Sequence, residues 1–123
     1  ANLEGANFKN SKFSGANFEG ANLKGADFEG AKIQGGNIKN ADFREANLTN
    51  ANFLESDLSK GDFRGATFEN TNLSEANLKE ADLRDVDFKD SDFRWTELNG
   101  AVSNENTVFP SDFKEDKKNI RRR

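Results

Sequence analysis

From Ala1 to Gly100 one pattern of apolar and polar positions recurs every five residues. It runs through twenty units without a gap: ANLEG, ANFKN, SKFSG, ANFEG, ANLKG and onward to TELNG. The third place of every unit, its centre, is Leu, Phe or Ile. The first place is small in every unit but the one opened by Val86, and the second is mostly Asn or Asp. The last two places are polar or Gly, apart from Leu54 and Trp95.

A period of five suits neither regular element. A helix turns about 100° per residue, so five residues overshoot a full turn by about 140° and scatter the centres around the cylinder. On a flat strand an odd period throws alternate centres to opposite faces. Short extended pieces joined by a corner in each unit make all units equivalent. The first and third places, two apart, then both point inward. Each buried centre contributes roughly 1.5–3 kcal/mol, and the small neighbour leaves it room. Asn and Asp bond their own backbone in turns, and Gly closes many units.

With small–Asn/Asp–Leu/Phe–x–x in unbroken phase over residues 1–100, the chain resembles the pentapeptide-repeat family. The resemblance implies an all-β fold, a right-handed quadrilateral β-helix with four units per coil and five coils. Lys12, Lys32, Thr67 and Glu97 depart from the pattern at the second place, and Val86 crowds a small site, to be partly accommodated near the C-terminal end of the rod.

Four faces group every fourth unit. One face then carries Glu4, Lys24, Arg44, Arg64 and Arg84 after the centre and Asn2, Asn22, Asp42, Asp62 and Asp82 before it. A basic column beside an acidic one reads as a solvated ladder of ion pairs. Its sharper reading makes Arg44, Arg64 and Arg84 a docking stripe. Leu54 and Trp95 fall together on another face, two coils apart, as candidate contacts, with Trp95 expected to pack under the C-terminal tail.

The repeat stops at Ala101, so the chain divides into 1–100, the β-helix, and 101–123, a terminal cap. AVSNENTVFP is irregular, and a short helix is expected after Pro110. Ser111 or Asp112 would cap it with Glu115, Phe113 and Ile120 would share a face, and Lys117, Lys118 and Arg121–Arg123 would favour its C-terminus. Phe109 and Phe113 are expected to cover the top of the rod, because open coil ends expose unpaired edges.

Composition removes most chemistry. Only 33% of residues are hydrophobic and 33% are charged, which fits a coil needing two inward places in five. There is no His, Cys or Tyr, so the commonest general base and zinc ligands are missing. The acid-rich run at 80–92 lacks the spacing of a calcium loop, and the reading assigns no metal, no cofactor and no catalytic residue. No stretch is long enough to span a membrane. The triplets Asn47–Thr49 and Asn72–Ser74 match the glycosylation pattern by chance, since their middle residues are buried centres. The terminal KKNIRRR is too short, and the rod too acidic, for direct nucleic-acid binding.

These observations describe a rigid, non-catalytic scaffold for a protein partner whose identity the sequence leaves open. It would be a monomer, or a homodimer formed end to end or through the tail. The family resemblance implies an alternative, a mimic of duplex DNA that binds a type II topoisomerase such as gyrase; a net charge of -4 agrees with it. TVFPSDF is similar to the tails of photosynthetic pentapeptide-repeat proteins. The expected compartment is a soluble one, the cytoplasm, or the periplasm or thylakoid lumen after removal of a signal.

Overall fold

The computed structural model of the chain describes residues 1–113 and 119–123. Second-place residues form parallel bridges with the residue twenty positions on, with one break on the second face: Asn2 with Asn22, Asn22 with Asp42, Asp42 with Asp62, and likewise from Asn7, Lys12 and Asn17. A register of twenty and a unit of five place four units in each coil, one per face. The fold is the right-handed square β-helix that the family resemblance implies. The faces are numbered here by the units that begin at residues 1, 6, 11 and 16.

The bonding follows from that path. Centres along the rod donate their N–H upward, as Leu3 does to the Asn22 carbonyl at 2.8 Å, and second places donate downward, as Asn22 does to Ala1 at 2.9 Å. The corner is closed when the next unit donates back to the centre, Ala6 to Leu3 at 3.0 Å. The Asn or Asp side chain braces the same corner: Asn7 Oδ1 accepts from the Lys9 amide at 2.9 Å. The fifth place takes a left-handed φ, as in Gly5 at 70° and Asn10 at 59°. That conformation is free for Gly and tolerated by Asn.

First and third places fill the interior. Phe28, Phe43, Phe53, Phe63, Phe68 and Phe88 are fully buried, and the rings of Phe43 and Phe63 stack at 4.9 Å. Leu3, Phe8, Phe13 and Phe18 of the first coil are only partly buried against this core. First-place hydroxyls reach the coil below: Thr71 donates to the Leu48 carbonyl at 2.7 Å, Ser91 to Phe68 at 2.6 Å, and Ser56 to Ile33. No buried side-chain nitrogen or oxygen among the described residues lacks a partner.

Past Ala101 the path does not become irregular; it continues upward. β1 (Val102–Ser103) extends the first face, with Val102 bridged to Asp82. Val108 bridges Asp87, 21 residues on instead of twenty, and the turn between them absorbs the extra residue. In that turn Thr107 donates to the Leu83 carbonyl at 2.8 Å and Asn104 Oδ1 accepts the Asn106 amide. β2 (Arg121–Arg122) then pairs in parallel on top of β1, Arg121 opposite Val102. The helix expected after Pro110 falls mainly on residues 114–118, outside the described residues. Its described flanks are not helical: Ser111 and Asp112 form a turn, and Arg121–Arg122 is a strand. Backbone bonds to β1, from Arg121 to Ala101 at 2.7 Å and from Arg123 to Ser103 at 2.8 Å, hold this end extended.

Candidate interaction surface

The register brings Arg44, Arg64 and Arg84 into one column on the first face and Asp42, Asp62 and Asp82 into the adjacent one. Each Arg sits two residues after its Asp, on the far side of an inward centre, so both project outward. Arg44 forks onto Asp42, Nε to Oδ1 at 3.0 Å and Nη2 to Oδ2 at 2.7 Å. Arg64 repeats this on Asp62 at 2.9 and 2.6 Å, and Arg84 on Asp82 at 2.9 and 2.7 Å. The forks also lean toward the next coil: Arg64 Nε lies 3.5 Å from Asp82, and Arg44 Nε 3.9 Å from Asp62. The result is a continuous ladder of alternating charge.

The ladder sets its own ionisation. The Arg44 hydrogen bond holds the Asp42 carboxyl below the usual range, and burial only partly opposes it. At Asp82 burial pushes the carboxyl up, but the bonds from Arg84 outweigh it and the net shift is down. The three guanidiniums are raised, first of all by their own Asp partners. Bidentate pairs of this kind are the stronger class of exposed ion pair.

Leu54 and Trp95 lie on the third face, opposite the arginines, so the structure does not gather the candidate residues into one patch. Leu54 is half-buried. Trp95 is not covered by the tail: it is 75% exposed and occupies a left-handed corner with φ of 58°. A fifth-place side chain points away from the rod, which leaves Trp95 exposed. The tail rings instead seat on the core. Phe109 stacks on Phe88 at 6.1 Å, and Phe113 meets Phe93 edge-on at 5.4 Å.

Two features escape a reading by residue type alone. Arg94 forks onto Asp92 on the third face with Nη2 at 2.7 Å, the same Asp–centre–Arg triplet as on the first face. That triplet is visible in the sequence. The Asp85 carboxylate accepts from both Asn104 and Asn106 at 2.9 Å, which keeps its carboxyl below the ordinary range. This clasp depends on the extra residue in the sixth coil and has no sequence signal. Among the described residues no acidic group forms a cluster able to hold a metal, and no helix is long and apolar enough to cross a membrane.

Comparison with known proteins agrees with this geometry. A family model described as pentapeptide repeats matches residues 1–40 in eight copies, and a second, the pentapeptide repeat region, matches residues 41–108. No curated protein matches. Among solved structures the chain is similar to a pentapeptide repeat protein, Rfr23, of the cyanobacterium Cyanothece 51142, with 26% identity, TM-score 0.75, and 88% of this chain and 87% of that one covered. It is also similar to trypsin-treated QnrB1, a plasmid-mediated fluoroquinolone resistance protein, with 23% identity and TM-score 0.54 over 98% of this chain and 64% of that one. HetL of Nostoc sp. strain PCC 7120, a pentapeptide repeat protein involved in heterocyst differentiation regulation, gives 21% identity and TM-score 0.50, covering 94% and 66%. The chain belongs to the pentapeptide repeat family.

Proposed function

We propose that this protein is a non-catalytic scaffold that docks a protein partner on an outward face of the rod. The observation that carries the reading is the first-face ladder. Asp42, Arg44, Asp62, Arg64, Asp82 and Arg84 are held at 2.6–2.7 Å contacts on a backbone that does not need them for its core. Such a surface presents charge at fixed spacing without losing side-chain freedom on binding. Centre places are filled by Leu, Ile and Phe and first places mainly by Ala, so the interior is packed with apolar side chains and the charged groups stand on the outward faces.

A partner that reads this face loses it when Arg44, Arg64 and Arg84 are all replaced by Ala. Recovery of partner by the tagged triple variant from an extract of the native source is expected to vanish while its β-rich circular dichroism and melting cooperativity persist. Equal recovery by the triple variant and the unaltered chain would exclude the first face. The topoisomerase-mimic alternative calls for uninterrupted negative charge. The pairing of Asp42, Asp62 and Asp82 with Arg removes the first face from that reading.

A further inference from the structure

On the second face the ladder between coils is regular and then skips one step. Asn7 bridges Asp27, Asp27 bridges Asn47, and Asn47 bridges Thr67; Asp87 bridges Val108 above it. Thr67 and Asp87 do not bridge. One coil lower, Leu48 donates to Thr67 at 2.8 Å, Asn50 to Glu69 at 2.8 Å, and Thr67 to Ala46 at 2.9 Å. Their equivalents, from Phe68 to Asp87, from Asn70 to Lys89 and from Asp87 to Ala66, are all absent. So are the flanking corner bonds from Gly65 to Arg84 and from Val86 to Leu83. The wall stands open there as a cleft of about 390 Å³, bordered by Thr67, Glu69, Asp85 and Asp87. The core beneath stays shut, with the Phe68 and Phe88 rings 4.6 Å apart.

Residue 86 supplies the cause. It occupies a first place, and the other β-branched residues at first places in the repeats, Thr71 and Thr96, keep their ladders closed. Each Thr hydroxyl donates to the carbonyl 23 residues earlier at 2.7 Å, Thr71 to Leu48 and Thr96 to Leu73. For Val86 that carbonyl belongs to Phe63. A methyl in the hydroxyl's place cannot donate, and carbon stands off a carbonyl oxygen by about 3.3–3.6 Å. A methyl against that carbonyl would hold the fifth coil roughly 0.6–0.9 Å further off at this corner, enough to part hydrogen bonds that need about 2.9 Å. Val86 is fully buried, so it cannot relieve the contact by swinging out.

The geometry points to a built-in joint: Val86 wedges the rod open along one wall between the fourth and fifth coils, and the fifth coil, sixth coil and tail open as one unit before the coils below. That unit is tied down by the remaining faces only, and a segment with fewer inter-coil bonds opens at lower free energy. The joint requires no docked partner, although the missing Gly65–Arg84 bond places one end of it at the corner of the docking face.

Native-state hydrogen exchange on the full chain reads it directly. The amides of Phe68, Asn70 and Asp87 are expected to exchange about 100-fold faster than those of Leu48, Asn50 and Thr67. The amides that cross the joint on the remaining faces, Asp82 to Gly61, Asp92 to Thr71 and Glu97 to Ala76, are expected to share an opening free energy below that of the second to fourth coils. Val86→Thr, which ordinarily weakens a core, is expected here to donate to Phe63, to slow exchange at Phe68, Asn70 and Asp87 by about tenfold or more, and to raise the melting temperature. Val86→Ala, the residue most common at first places, should act in the same direction by removing the wedge. Equal protection at Phe68 and Leu48 in the unaltered chain would overturn the joint. So would no change in either variant, or a single opening free energy for all coils.

Discussion

At the scale of the residue, the first place is governed by volume and by what can touch a carbonyl. Gly36 and Gly61 mark its tightest points. A Cβ on Gly36 would lie 2.8 Å from Ile33 Cγ2, and one on Gly61 2.7 Å from Phe63 Cε2. Neither residue has a left-handed φ, so these glycines are present for space and not for conformation. Ala, the commonest first-place residue, is thus the wrong one here. Gly61→Ala and Gly36→Ala are each expected to destabilise the protein by about 1–3 kcal/mol through overpacking, measured by urea unfolding. The sequence makes the small place legible but not this distinction. Whether Ala fits depends on the rotamer of a neighbour three residues back or two ahead, and on how the coils stack. The same limit applies to Val86: its sequence position shows only that it crowds a small site, and the loss of inter-coil bonds beside it depends on how the coils stack.

At the scale of the element, the unit of interest is the Asp–centre–Arg triplet stacked from coil to coil. Asp42, Asp82 and Asp92 have carboxyls lowered below 3.8 in the folded chain, through hydrogen bonds from Arg44, Arg84 and Arg94 that outweigh burial. The unfolded chain therefore binds protons first as pH falls. The stabilisation is complete above the ordinary carboxylate range and is lost as pH drops through the lowered folded values. Urea midpoints are expected to stay level from about pH 7 to 5 and to fall below about pH 4. The Arg44/Arg64/Arg84→Ala triple variant should begin lower and fall less. A midpoint that rises on acidification would contradict the ladder. The columns themselves are readable once the family resemblance supplies four units per coil, because a strict period then assigns every residue a face. Pairing geometry was not, since it depends on each Arg folding back two residues onto its own Asp.

At the scale of the whole molecule, a chain with little apolar content builds a continuous core by giving every coil the same inward pair. Local rules of five residues set nearly everything: the corner, the inward side, the parallel register. They stop where the period stops. The tail shows how: Phe109 and Phe113 could be expected over the end of the rod by their size, but the route could not. Helix-start chemistry around Ser111 and Asp112 competes with the unpaired edge of β1. That edge, a long-range feature absent from any local window, takes Arg121 and Arg122 as a strand. Trp95 stays exposed for the related reason that a corner side chain points outward from the rod.

The claim on which the surface argument rests is that residues twenty apart are vertical neighbours, so that distant parts of the sequence form one column. A spin–spin distance between labels on Glu19→Cys and Asn99→Cys tests it most directly. Both positions are exposed fourth places on the fourth face, four coils apart. With coils spaced about 4.8 Å, the account predicts a narrow distribution near 19 Å, broadened only by the label arms. A mean beyond about 35 Å, or a spread without a maximum, would contradict the stacked register and the columns drawn from it.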